Sequence, residues 1–275
     1  MAAMPELPEV ETVMRGLQPA LEGRRIAAVT LRRGGLRFPF PKGFAERLAG
    51  RQVIALRRRA KYILASIEGG DTLLIHLGMT GSLRVHHTAP ERVLHDHVDI
   101  ELASGAVLRY HDPRRFGAIL WLEGSGDAHP LLSSLGPEPF DAAFNAEELW
   151  RATRRRSAAI KLALMDNHLV VGVGNIYANE ALFRAGIRPT VAARRLSRPR
   201  LARLVDAVRA TLTDAIAKGG STLRDYVDSD GNPGYFQLEY FVYGREGQGC
   251  RVCGAALRSV RLGGRATVFC PICQK

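Results

Sequence analysis

The residues of this chain best suited to chemistry stand near its start, in Met4-Pro5-Glu6-Leu7-Pro8-Glu9-Val10-Glu11. If translation begins at Met4, removal of the initiator leaves Pro5 with a free secondary amine. An α-amino group has a pKa of about 7.7–8.0, against about 10.4 for lysine, so a useful fraction is unprotonated at neutral pH. A secondary amine that attacks an aldehyde-level carbon gives a cationic iminium, an electron sink for later eliminations. Glu6 beside it is a carboxyl that can shuttle protons. The same residues would also serve simply to open a helix, since proline and acids suit a first turn. With Met1-Ala2-Ala3 attached, the Pro5 nitrogen is a tertiary amide and no nucleophile. The expectation is that those three residues precede the true start.

A second chemical centre lies near the other end. Cys250-x2-Cys253 and Cys270-x2-Cys273 are separated by sixteen residues, and no cysteine precedes them. That distribution argues for one local metal site in a reducing compartment rather than a disulfide scaffold. Two such pairs form a tetrahedral thiolate site for one zinc ion. All four ligand positions are filled, so the zinc is structural. Residues 257–262 and 266–269 read as hairpin strands around Gly263-Gly264-Arg265. Arg251, Arg258, Arg261 and Arg265 crowd the module and favour phosphate contact, although zinc ribbons also mediate protein contacts. Arg265, read as the hairpin tip, is the best placed.

Other blocks offer chemistry with a bland alternative beside each. Lys61 follows Arg57-Arg58-Arg59 in a chain that otherwise prefers arginine; its other lysines are Lys42, Lys161, Lys218 and Lys275. A solvated charge run needs no lysine, so the position asks for an amine. In His76-Leu77-Gly78-Met79-Thr80-Gly81, Met79 is either core filler or a side chain presented at a loop tip by flanking glycines. In Asp112-Pro113-Arg114-Arg115-Phe116-Gly117, Arg114 and Phe116 share a side if extended. An apolar wedge with an arginine is what opens a base stack, whereas Phe116 alone would read as core. His95-Asp96-His97 is better read as a phosphate contact at His95 and a structural residue at His97 than as a metal site. Gly172-Val173-Gly174 lacks the third glycine and the βαβ unit of a dinucleotide fingerprint. It reads as a turn between helices, with Asn175 at a helix start where free N–H groups can grip phosphate.

The formal net charge is +12, from 39 lysines and arginines against 27 acids. A polyanion is the implied partner, nucleic acid first. No apolar run approaches the ~18–20 residues of a membrane span, and no secretory signal pattern opens the chain. The expected elements follow from periodicity. Val10, Val13, Met14, Leu17 and Leu21 form one helical stripe from about Pro8. Short strands follow at 25–31, 52–56, 62–67, 72–76, 82–85, 97–101, 106–110 and 118–122, the pattern of an antiparallel sandwich or barrel. Residues 124–139 look like a linker. Helical patterns occupy 146–154, 158–165, 176–185 and 197–218, and 219–235 reads as a loop. The fold class is α+β: a helix and an antiparallel β-sandwich, a helical domain, and a C-terminal zinc hairpin. The expected bounds are 5–124, a linker at 125–145, 146–235 and 236–275.

Together these blocks, with Asp230-Gly231-Asn232-Pro233-Gly234-Tyr235-Phe236, resemble the bacterial formamidopyrimidine-DNA glycosylase family from Met4 to Lys275. The resemblance implies a helix–two-turn–helix domain between sandwich and zinc finger, with double-stranded DNA in the cleft between the halves. It implies that Pro5 is the nucleophile at C1′ of the damaged nucleotide and Glu6 the general acid. Lys61 would assist near the sugar and phosphate, and Arg265 would grip phosphate and help the last elimination. Met79, Arg114 and Phe116 would fill the gap left by the flipped base. His76, His95, Arg156, Asn175 and Tyr243 would contact the DNA backbone, and 219–235 would cover the flipped base. Arg156 stands where the family often has lysine. The implied activity is excision of oxidised purines followed by β,δ-elimination, by a monomer in the bacterial cytoplasm at the nucleoid. An enzyme for oxidised pyrimidines, and a non-catalytic zinc-dependent DNA-binding protein, are the rival readings.

Overall fold

Helix α1 (Leu7–Leu21) begins where its first turn can be capped. Glu6 and Glu9 form a reciprocal capping box, and Pro8 stands in the first turn, where no N–H is required of it. Leu7, Val10, Val13, Met14, Leu17 and Leu21 are buried on one face. Each such side chain contributes about 1.5–3 kcal/mol. Together they outweigh Pro19, whose interior position costs about 3 kcal/mol.

The computed structural model describes residues 4–221 and 234–275. These divide into two compact units, one comprising residues up to Ser133 with Gly219–Tyr235, the other Ser134–Lys218 with Phe236–Lys275. The loop expected at 219–235 lies largely outside the described residues.

In the first unit, α1 leads to β1 (Ile26–Leu31), the short α2 (Phe44–Leu48), β2 (Val53–Arg59), β3 (Tyr62–Ile67), β4 (Thr72–His76), β5 (Ser82–His86), β6 (Asp96–Leu102), β7 (Val107–His111), β8 (Ala118–Leu122) and α3 (Pro130–Ser133). The strands form two four-stranded antiparallel sheets, ordered β1-β6-β7-β5 and β2-β3-β4-β8. Leu83, Val98, Ile100, Leu108 and Tyr110 from one sheet share a core with Ile63, Ala65, Leu73, Ile75 and Ile119 from the other. The apolar stripe of α1 joins the same core, so the sandwich is closed by the helix that Pro5 and Glu6 lead into.

Three local expectations change. Strand β2 runs on through Arg57-Arg58-Arg59, because pairing with β3 continues to Arg59↔Tyr62 and outweighs the charge of the run. Helix α2 has no signal in the sequence; Phe44 and Leu48 are its only buried residues, too few to show a helical period. Helix α3 interrupts the expected linker.

The second unit holds α4 (Ala146–Thr153), α5 (Ile160–Leu164), α6 (Asn175–Arg184), α7 (Arg198–Ala217), and the hairpin β9 (Arg258–Leu262) and β10 (Arg265–Phe269). Asn145 caps α4 by accepting from Glu148 N at 3.0 Å. The α5 helix is shorter than its pattern suggests: it starts at Ile160, after Ala159, whose ψ of 141° is not helical. Two turns join α5 to α6, with Val170, Val171 and Val173 buried and Gly172 at φ +80°. Gly263 and Gly264, at φ +54° and +74°, form the two-residue tip of the hairpin. Arg265 is therefore not the tip; it is the first residue of β10, paired with Leu262. Among the described residues no helix is long and apolar enough to cross a membrane.

Candidate nucleic-acid interface and metal centre

In the first unit, Pro5 and Glu6 are buried at the start of α1. The Glu6 N–H donates to Glu9 Oε2 at 2.8 Å, and Glu9 Oε1 accepts from Ser221 N at 2.8 Å. Lys61 occupies the two-residue turn between β2 and β3. Arg58 holds that turn: it donates to the Ala60 carbonyl at 3.0 Å and to Glu11 Oε2 at 2.7 Å. Glu11 belongs to α1, so one arginine ties the Lys61 turn to the helix that begins beside Pro5.

His76 ends β4 and pairs with Tyr62 of β3, the two rings tilted at 43° with centroids 5.1 Å apart. Burial pushes the His76 pKa down to about 4, and the Lys61 and Arg37 charges push the same way. The ring is neutral at physiological pH. Its Nδ1 accepts from Gly78 N at 3.2 Å, which leaves the proton on Nε2 as an uncharged donor. Met79 is half-buried in the following loop. Phe116 is 46% exposed, with the Arg114 guanidinium 4.8 Å from its ring centroid. The core alternative for Phe116 thus falls away. His97 is buried and donates from Nε2 to the Asp112 carbonyl at 2.8 Å, a structural residue. His95 is only partly buried, its ring edge-on to His111 at 6.0 Å.

The segment before His95 is pinned by Arg109, which donates to Asp99 and to the Glu91 carbonyl and pairs with Asp96 at 3.0 Å. Burial would raise the Asp99 carboxyl, but hydrogen bonds from Arg109 and Arg32 hold it at about 2. Among the described residues, the non-glycine residues at positive φ are Ala60, His95 and Arg115. Each is, or adjoins, an expected catalytic or DNA-contact residue, and such strain concentrates at functional sites.

In the second unit, Arg156 is half-buried and pairs with Asp166 at 2.6 Å. Asn175 is the first residue of α6, and its Oδ1 is buried with no hydrogen-bond partner among the described residues. Tyr243 packs edge-on against Tyr240 at 5.4 Å. Its N–H, with those of Phe241 and Val242, donates to the Glu180 carboxylate. Burial pushes Glu180 above the usual carboxylate range in spite of those donors. Arg265 is exposed. The strand it begins is anchored by fully buried Lys161, whose Nζ donates to Ala266 O at 3.1 Å and Thr267 Oγ1 at 2.6 Å. Asn179 Oδ1 accepts from Val268 N at 3.0 Å.

The Sγ atoms of Cys250, Cys253, Cys270 and Cys273 all lie within 4.8 Å of one another. Four thiols so close, from two knuckles, fit one tetrahedral zinc ion. The positioning groups Asp112, Thr80, Lys161 and Glu180 escaped the sequence reading. Asp112 and Thr80 stand inside motifs already singled out, but nothing in their spacing shows burial.

Sandwich, paired helices and a four-cysteine finger, in this order, define a DNA glycosylase of the zinc-finger class. Three family models tile the chain: "Formamidopyrimidine-DNA glycosylase N-terminal domain" over residues 4–119, "Formamidopyrimidine-DNA glycosylase H2TH domain" over 135–227, and "Zinc finger found in FPG and IleRS" over 247–275. The formamidopyrimidine-DNA glycosylase of Burkholderia pseudomallei (strain K96243) is 56% identical over 278 residues, covering 99% of this chain and 100% of the relative. The crystal structure of the MutM (Fpg) protein of Thermus thermophilus superposes with a TM-score of 0.88 at 41% identity, over 98% of each chain. Lactococcus lactis Fpg, in complex with abasic-site DNA, gives 0.90 at 33% identity, over 98% of this chain and 99% of that one. The chain belongs to the formamidopyrimidine-DNA glycosylase family.

Proposed function

We propose that this protein excises oxidised purines from double-stranded DNA and cleaves the strand at the resulting abasic site, with Pro5 as nucleophile. A base inside the duplex is unreachable, so it is extruded at a cost of a few kcal/mol. Met79, Arg114 and Phe116 fill the gap and offset part of that cost. The Pro5 nitrogen bonds to C1′ while the C1′–N bond to the base breaks and the base leaves with the electron pair and a proton. Glu6 protonates the sugar ring oxygen, and ring opening gives the iminium. Loss of a C2′ proton then expels the 3′ phosphate, and a second elimination releases the 5′ phosphate. Lys61 and the neutral Nε2–H of His76 neutralise or bind phosphate beside the sugar. Arg156, Asn175, Tyr243, Arg265 and His95 grip the DNA backbone, and the zinc-bound cysteines hold the hairpin that carries Arg265. The work belongs to a monomer in the bacterial cytoplasm, at the nucleoid.

One observation carries this reading: Pro5 directly precedes buried Glu6 at a capped helix start, which Arg58 links to the Lys61 turn. The chemistry requires Pro5 to be the first residue of the working enzyme. Borohydride reduction with abasic-site DNA tests it. A covalent adduct is expected, and it is lost in a form with an uncleaved N-terminal extension, where the Pro5 nitrogen is a tertiary amide. An adduct of full yield in that form overturns the assignment. Excision of 8-oxoguanine opposite cytosine, compared with thymine glycol, separates the purine reading from its pyrimidine rival.

A further inference from the structure

We infer that Asp112 is a positioning residue that locks the two wedge-bearing loops into one rigid piece. The inference rests on the wedge reading above. Asp112 is fully buried. Its Oδ1 accepts from the Thr80 hydroxyl at 2.6 Å, and its Oδ2 accepts from Gly117 N at 2.9 Å. Thr80 Oγ1 in turn accepts from Arg114 N at 3.2 Å. One carboxylate therefore grips the residue after Met79 and the residue after Phe116, and through Thr80 it reaches Arg114. The Tyr110 hydroxyl, beside the same loops, donates to the His76 carbonyl at 3.1 Å.

The backbones of the two loops meet with no room for side chains between them. A Cβ on Gly78 would lie 2.4 Å from Gly117 N, and one on Gly117 would lie 1.6 Å from the Tyr110 hydroxyl oxygen. Gly78 also stands at φ +66°, a second reason for glycine there. A buried carboxylate is costly unless its oxygens are satisfied, and hydrogen bonds to a charged acceptor are the strong kind. An apolar residue would fill the same space without fixing the distance between loops. The charge is spent where geometry matters: a wedge whose parts move independently lets the base stack close again.

This gives a specific pattern for single-turnover kinetics on the zinc-loaded, full-length enzyme. In Asp112→Asn and in Thr80→Val, excision of 8-oxoguanine should slow about tenfold or more, because displaced positioning groups cost rates of that order. Cleavage of a preformed abasic site, which needs no base extruded, should fall far less. The double variant should be no worse than the slower single, since both break one network. A 2-aminopurine beside the lesion should report slower unstacking in the same variants. If Asp112→Asn fails to fold, Thr80→Val carries the test. Proportional loss of excision and abasic-site cleavage would mean a general structural role and overturn the inference. So would wild-type excision in both variants while Phe116→Ala and Met79→Ala are slow, with the wedge reading left standing. Wild-type excision in Phe116→Ala and Met79→Ala would remove the wedge reading, and the clamp with it.

Discussion

Glu6 and Glu9 cap the same helical turn reciprocally, and the second oxygen of Glu9 reaches Ser221, far along the chain. The proposed general acid is thus held through its own backbone by a neighbour three residues on. Glu9→Ala removes the carboxyl that accepts from two buried N–H groups, a loss of roughly 0.5–1.5 kcal/mol for each hydrogen bond. Urea unfolding should show that loss, and excision should fall with it as Pro5 and Glu6 lose their seat. Glu9→Gln, which keeps one acceptor, should be milder. A Glu9→Ala enzyme of unchanged stability would contradict the cap.

His76 makes stability pH-dependent in a predictable sense. Its folded pKa is about 4, against an ordinary value of 6.5. Below pH 6.5 the unfolded chain takes a proton that the folded chain refuses, so this contribution is complete above pH 6.5 and is lost as pH falls toward 4. Thermal midpoints of the wild type should therefore drop more steeply than those of His76→Gln between those pH values. Parallel curves would argue against a neutral His76.

Arg265 is exposed at the start of β10, and its proposed role is to contact a phosphate. Arg265→Glu should weaken binding to damaged and undamaged duplexes alike and flatten the salt dependence, with a slope reduced by about one for the lost contact. Fluorescence anisotropy at several salt concentrations measures it. An unchanged slope would exclude a phosphate role.

Zinc removal should abolish DNA binding and leave the sandwich intact. The thiolate cluster belongs to the second unit, whereas Trp121 lies in β8 of the first. With Trp150→Phe as background, Trp121 emission reports the sandwich alone. Chelation should leave that emission unchanged while binding disappears. Binding that survives verified metal loss would contradict the assignment.

Zinc ligation was legible in the sequence because metal ligands must be of particular types at short range, and Cys-x2-Cys states both. The stripe of α1 was legible for a similar reason: helical period is a local property. The strands of the sandwich could be read individually, but not their partition into β1-β6-β7-β5 and β2-β3-β4-β8, which depends on pairing between distant residues. Nor could β2 be carried through three arginines, since only its pairing with β3 holds them extended.

Residue types and spacing alone determined that this chain holds zinc, carries a proline–glutamate pair suited to iminium chemistry and seeks a polyanion. Burial and exposure were decided only by the tertiary structure. Phe116 and Met79 had plausible places in the core or outside it, and the exposure of Phe116 in the folded chain settled the matter for that residue. Asp112, Lys161 and Glu180 look like ordinary surface charges until distant backbone groups close around them. The electrostatic state of His76 came from the same source, because burial and neighbouring charges act through space, which a linear sequence does not record.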